Sequence, residues 1–352
     1  MRVAFVQRRT AHLEETALAR RTRRTAELLA ERGHEAIVCC ARWWDGGVRE
    51  FEENDVTYHA VSRNPSGEGF AARLPPVLRR IRPDVIHVGI DAPTTVLAAR
   101  TGAAISRSPI VADWFGAPLD GPVRIRRSAV RSPSTLFVPS EYVKMHALER
   151  GAHEDAVRVV PESIDFSLVR EIEPAGDSEI VYSRRLDADA NAEALLLALA
   201  EFRDRDWHAT IIGDGPERES YEQQSRDLRI DDRVSFAGAL PVKERVARFK
   251  RAHVFVQTAT RCPFATELLW ALACGCVGVV DYQAKSSAHE LVERRERGIR
   301  TTGEEEIAEA FETAADLPRM ETNEEFADFD HGVVLEEYLE CYRNVREGYG
   351  LF

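Results

Sequence analysis

Residues 209–228 read ATIIGDGPERESYEQQSRDL. An apolar strand, Ala209–Ile212, runs into Gly213-Asp214-Gly215 and then into a helix over 216–228 opened by Pro216. Proline is favoured at the first helical position, because its missing N–H is one that a helix start leaves unpaired anyway. Glycines let a backbone approach a ligand closely, and a helix N-terminus offers free N–H groups to an anion. An ordinary strand-to-helix turn uses the same residues, so both a plain turn and a phosphate cradle fit this unit.

The same strand-then-helix step recurs along the chain. On the N-terminal side, strands are expected at 3–6, 36–40, 56–61, 84–88, 109–113 and 135–138. Between them lie helical patterns at 14–32, 70–81, 93–103, 122–131 and 140–150; the first has Ala17, Leu28 and Leu29 on one face and Gly33 at its end. Residues 161–177 contain Pro174, Gly176 and several acids without periodicity, and read as a linker. The alternation then restarts with strand 180–183, helix 191–202, the opening unit, strand 234–236 and helix 242–251. Strands at 254–256 and 277–280 flank RCPFATELLWALACGC, residues 261–276. The segment 331–346 spaces Leu335, Tyr338, Tyr342 and Val345 for one helix face. Alternation of this kind predicts α/β architecture with parallel sheets. With 352 residues the chain exceeds what one core usually fills. Two doubly wound domains are expected, 1–160 and 178–330, facing each other across a cleft, with 331–352 crossing back to the first.

Composition narrows the function. A formal charge of −12 argues against general nucleic-acid binding, which works by neutralising phosphates with Lys and Arg. No apolar run approaches the roughly 18 residues of a membrane span, and MRVAFVQRRT has the reverse of a signal peptide's order. A cytoplasmic protein is expected, with peripheral membrane contact left open. Lysine occurs only at 144, 243, 250 and 285, so 43 of 47 basic residues are Arg. A Lys-poor, Arg-rich, acidic chain resembles proteins of salt-loving archaea, though a GC-rich genome biases composition the same way. The six cysteines make no zinc spacing and read as buried thiols in a reducing compartment.

A second candidate is Tyr182-Ser183-Arg184-Arg185-Leu186, at the end of the first strand after the linker. In open α/β sheets, ligands gather outside the carboxyl ends of strands, and the planar fork of Arg suits a diphosphate. A solvated loop arginine is the plainer alternative.

Taken together, the motifs resemble a GT-B fold retaining glycosyltransferase of the family 4, or group 1, type. Arg185-Leu186 matches that family's Gly-Arg-Leu, and Gly213-Asp214-Gly215-Pro216 its Gly-Asp-Gly-Pro. Pro161-Glu162-Ser163-Ile164-Asp165 is similar to its interdomain Pro-Asn-Gly-Val-Asp, and Ala252-His253-Val254-Phe255-Val256 to its Ala-Asp-Val-Phe-Val. Pro263-Phe264 and Ala271-Leu272-Ala273-Cys274-Gly275 match its Glu-Gly-Phe-Gly, four residues, Glu-Ala-Met-Ala-Cys-Gly. Arg82-Pro83-Asp84-Val85-Ile86-His87 and Val138-Pro139-Ser140-Glu141 extend the match through the N-terminal half.

The resemblance implies transfer of a sugar from a nucleotide-sugar, UDP- or GDP-linked, to a glycan or lipid-linked acceptor, with retention and without a metal. It implies that Arg185 binds the diphosphate beside Ser183 and Arg184, that Gly213, Asp214 and Gly215 lie near the nucleotide, and that Pro263, Phe264, Ala265, Thr266 and Glu267 face sugar and phosphates. The family's paired glutamates fall on Cys262 and Trp270, and its diphosphate lysine near Ala190. Candidate substitutes are Glu267 for a carboxylate, Trp270 as a stacking ring, Lys285 as the cation, and Arg8 and Arg9 after the first strand. Arg185 and Glu267 are the expected catalytic groups. The competing expectation is a GT-B scaffold that binds a nucleotide, glycan or partner protein without catalysis.

Overall fold

A computed structural model describes residues 1–65 and 67–349. The chain divides into two compact units: Met1–Pro161 with the chain from Gly332 on, and Glu162–His331. Among the described residues no helix is long and apolar enough to cross a membrane.

The first unit is built on an eight-stranded sheet. In spatial order its strands are Glu50–Glu53, Val56–Ser62, Glu35–Ala41, Arg2–Val6, Val85–Gly89, Ile110–Asp113, Thr135–Val138 and Val157–Val159. All neighbours run parallel except the edge strand Glu50–Glu53, which pairs antiparallel with Val56–Ser62. The central strands are buried on both faces, as the near-continuous apolar runs require: Val3, Ala4, Phe5 and Val6 have no exposed surface.

Helix Ala17–Glu31 starts at Thr16, whose side chain caps the N–H of Ala19. It begins three residues later than the periodicity predicts, and Ala17 faces solvent. Its buried face is Leu18, Thr22, Thr25, Ala26 and Leu29, together with Arg21. Polar residues on that face hid it from a search for apolar spacing.

Arg21 is buried because it has partners. It belongs to a polar cluster beneath the sheet, centred on Asp113 at the end of strand Ile110–Asp113 and only 1% exposed. Arg21 Nε is 3.4 Å and His87 Nε2 3.0 Å from the Asp113 carboxylate, and the Tyr338 hydroxyl donates to it at 3.1 Å. The Tyr342 hydroxyl lies 2.6 Å from His87 Nδ1, and Arg21 donates to the carbonyl of Val160 at 2.8 Å. Tyr338 and Tyr342 come from the helix His331–Tyr349, so the last helix docks on the first unit through a polar network as well as through Val334, Leu335 and Leu339.

Burial pushes the Asp113 carboxyl up, but Arg21, His87 and the Tyr338 hydroxyl together outweigh it and hold its pKa below the ordinary value. A depressed carboxyl stabilises the fold above its unfolded pKa of about 3.9 and loses that contribution as pH falls through the folded value. Urea unfolding of the wild type and of Asp113→Asn should therefore converge as pH is lowered below about 4. A difference that stays constant down to pH 2 contradicts this assignment.

The second unit carries six parallel strands in the order Val234–Gly238, Ala209–Ile212, Ile180–Ser183, Val254–Gln257, Val277–Asp281 and Gly298–Thr301. The chain reverses its direction of travel between Ile180–Ser183 and Val254–Gln257, which places a topological switch point there. The stretch 161–177, expected as a linker, holds a helix, Phe166–Glu171, capped by Asp165. Its Phe166 and Val169 lie in the second unit's core, so it is part of that unit. A helix over Glu304–Ala315 and the strand Gly298–Thr301 are further elements that the sequence pattern did not call for.

Candidate functional site

The switch point of the second unit collects most of the residues singled out in its sequence. Strand Ile180–Ser183 ends in a turn held against the Gly-Asp-Gly loop by three backbone hydrogen bonds. Arg184 N–H donates to Ile212 O at 2.9 Å, Leu186 N–H to Asp214 O at 3.0 Å, and Glu217 N–H to Leu186 O at 3.0 Å. Leu186, with no exposed surface, pins the turn to the core.

That contact explains the glycines. Gly213 has φ +137°, in the region L side chains avoid, and a Cβ there would stand 1.8 Å from Arg184 O. A Cβ on Gly215 would stand 2.2 Å from Leu186 O. Asp214 is exposed and accepts from the N–H of Gly215 at 2.8 Å. The helix of this unit begins at Arg218, two residues after Pro216.

The neighbouring arginines differ. Arg184 is tied to protein: it donates to Arg261 O at 3.1 Å and lies 3.5 Å from Asp187. Arg185 is exposed and has no ion pair among the described residues. A guanidinium left open at the carboxyl end of a strand suits a ligand anion, since its paired N–H donors match phosphate oxygens. Across the switch point, Arg261–Cys262 pairs in parallel with Lys285–Ser286, which sets the exposed Lys285 opposite Arg261.

Helix Thr266–Ala273 opens toward the same place, its cap residue Ala265 offering no side chain to the first N–H groups. Pro263, Phe264 and Thr266 are half-buried and Ala265 fully so. Pro263 O accepts from the Ser287 hydroxyl at 2.8 Å. Glu267, in the first turn, accepts from the Ser183 hydroxyl at 3.2 Å, and Arg245 Nε sits 3.0 Å from the same oxygen. Its carboxylate is thus at the site and engaged by a cation. Arg245, on helix Val242–Arg251, and Arg261 are the two site cations that the sequence reading missed. The only signal was their place after a strand or at a helix start, shared with many of the 43 arginines.

Two expectations need correction. Trp270 is 6% exposed and packed in the core with Leu268, Leu269 and Leu272, so its ring is not offered to a base or sugar. Arg8 and Arg9 are not left unpaired for a phosphate, although Arg9 stays exposed. Arg8 pairs with Asp91 at 3.1 Å and Arg9 with Glu14 at 2.7 Å. Cys262 is also buried, and burial pushes its thiol up to about 11 despite the nearby Arg184, so it carries no charge at neutral pH. Trp270→Phe should cost about 1–3 kcal/mol of stability by opening a gap in the core while leaving nucleotide affinity unchanged. Loss of affinity at unchanged stability would place the ring at the ligand instead.

Comparison with known proteins gives the family and the fold. A family model described as glycosyl transferases group 1 matches residues 165–328, and one described as a glycosyl transferase 4-like domain matches 16–162. An alpha-monoglucosyldiacylglycerol synthase of Streptococcus pneumoniae is 28% identical over 102 residues, 28% of this chain and 23% of that protein's length. A glycosyltransferase from Rickettsia africae superposes with TM-score 0.80 over 97% of this chain and 98% of its own, at 14% identity. Anabaena Alr3699/HepE, solved in complex with UDP, gives 0.77 over 98% of this chain and 100% of its own, at 17% identity. Likeness at such identities shows the fold, two Rossmann-like units of the GT-B kind.

Proposed function

Because the chain belongs to the GT-B glycosyltransferases of the group 1, family 4 type, we propose that it moves a hexose from a nucleotide-sugar, UDP- or GDP-linked, to a glycan or lipid-linked acceptor with retention of configuration. The observation that carries this reading is Arg185, without an ion pair among the described residues, beside two glycines where an added side chain would collide with the adjoining turn, at the switch point of a parallel sheet. As the glycosidic bond breaks, the leaving diphosphate gains charge, and fixed cations aimed at it lower the barrier. In this reading Arg185 and Lys285 meet the diphosphate, in place of a metal. Gly213–Gly215 admits it close to the backbone, and the positive end of helix Thr266–Ala273, capped by no side chain, faces the same charge. Glu267, steered by Ser183 and Arg245, faces the donor sugar.

The UDP complex of Alr3699/HepE supports UDP as the first nucleotide to try. Isothermal calorimetry with UDP, GDP and their glucose conjugates should show binding of at least one nucleoside diphosphate. If none binds, the reading fails.

A second reading has its own observation. Cys262 and Trp270, both buried and uncharged, stand where the family's two carboxylates belong. This favours a protein that binds nucleotide or glycan without turnover. Single-turnover assay with a bound nucleotide-sugar separates the two: release of nucleoside diphosphate supports transfer, and binding without release supports the scaffold.

A further inference from the structure

Charge is divided unevenly along the chain. The first unit holds 26 Lys and Arg against 23 Asp and Glu, a formal +3, and Glu162–His331 holds 21 against 36, a formal −15. Within the first unit, arginines gather at one cavity in particular. A cavity of about 840 Å³ lies between helix Gly67–Ile81 and the edge of the sheet, and five arginines line it: Arg42, Arg49, Arg63, Arg73 and Arg80. Its volume falls in the range of small-molecule sites.

The fold brings these five together by three routes. Arg42 and Arg63 directly follow the carboxyl ends of strands Glu35–Ala41 and Val56–Ser62, where open α/β sheets bind ligands. The two strand ends are joined there, the Arg42 N–H donating to Ser62 O at 2.9 Å. Arg73 and Arg80 are seven residues apart on one helix, two turns, and so share a face. Arg49 enters from the loop before the edge strand. Val61, Val77 and Pro76 supply an apolar wall.

Several other arginines of this unit are paired with carboxylates: Arg2 with Glu35, Arg8 with Asp91, Arg9 with Glu14, Arg23 with Glu27. Among the described residues none of the five has a carboxylate within ion-pair distance, and the His59 ring in the same wall is held by Glu50 at 3.1 Å. Five like charges in one concavity repel one another, and among the described residues no ion pair offsets them. Arg42 is aimed as well as charged, one of its terminal N–H groups bonding Gly46 O at 2.6 Å. A ligand carrying phosphate answers both the charge and the planar, two-pronged donors.

We propose that this cavity binds a phosphate-bearing ligand through Arg42, Arg49, Arg63, Arg73 and Arg80. The site lies wholly within the first unit and stands independently of the donor loops and of sugar transfer. The phosphate belongs either to a soluble sugar phosphate or to a lipid headgroup.

The test uses the full chain at low ionic strength with inorganic pyrophosphate as probe, followed by calorimetry and by thermal unfolding. Wild type and Arg185→Ala should both bind at this site and melt several degrees higher with pyrophosphate, as a ligand of the native state requires. The double variant Arg63→Gln/Arg73→Gln should bind at least tenfold more weakly and lose the shift, while melting without ligand no lower than wild type. Competition by glucose 1-phosphate identifies a soluble ligand. Sedimentation with phosphatidylglycerol but not phosphatidylcholine vesicles, lost in the double variant, identifies a headgroup. Pyrophosphate binding that is absent in the wild type, or that survives in the double variant unchanged, overturns the proposal.

Discussion

Asp113→Ala is expected to destabilise the first unit by about 3–5 kcal/mol, the usual penalty for removing one partner of a buried ion pair. The reason lies in what is left behind. Arg21, 4% exposed, would keep its bonds to the Val160 carbonyl and to Tyr338 but lose the Asp113 carboxylate 3.4 Å from its Nε. His87 and the Tyr338 hydroxyl would lose their shared acceptor at the same time. A loss of that size lowers the melting temperature by on the order of 10 °C for a unit of this length. A double-mutant cycle with Arg21→Met gives the stricter reading. Once the cation is gone, removing Asp113 should cost clearly less than it does alone, because no uncompensated charge remains. Additive costs would mean that the network is a set of separate contacts, and a change under about 1 kcal/mol would mean that the carboxylate is not neutralising Arg21 at all.

The second large effect concerns Arg185→Ala. Truncating this side chain removes nothing that holds the fold, since it is exposed and has no ion pair among the described residues. Stability should stay within about 0.5 kcal/mol of the wild type. Function should not. Charge-assisted hydrogen bonds to a diphosphate are worth about 1.5–3 kcal/mol each, so affinity for a nucleoside diphosphate should fall roughly 10- to 100-fold. Turnover should fall further, by about 100- to 1,000-fold in kcat, because the charge on the leaving group is greatest in the transition state. Arg184→Ala provides the contrast. Its guanidinium bonds Arg261 O and Asp187, so its loss should loosen the turn and lower stability along with binding. Equal effects of the two substitutions on binding and none on stability would reverse the roles assigned to them.

The sequence reveals the parallel sheets well because their strands are short apolar runs buried on both faces, as at Val254–Gln257 and Val277–Asp281. It hides elements whose sides differ little from loops. Glu50–Glu53, EFEE, is an exposed acidic edge strand, and Gly298–Thr301, GIRT, is short and mixed. The Gly213-Asp214-Gly215 loop is legible because only glycine tolerates both the φ and the approach of Arg184. Arg245 is not legible, because its partner Glu267 is distant in sequence and one arginine among 43 carries no mark of its neighbour. Trp270 misleads for a related reason: a core tryptophan and a stacking one occupy the same kind of helical position, and only the surrounding leucines separate them.

The Asp113 network also sets a schedule. Tyr338 is synthesised 225 residues after the carboxylate to which it donates. At about 5–20 residues per second, a ribosome takes roughly ten to forty-five seconds to bridge that gap. During that interval the whole contiguous second unit is synthesised, while the first waits with an open polar seam beside Phe137 and Val111. The unit that begins the chain is thus the one completed last, its core open to solvent until the final helix arrives.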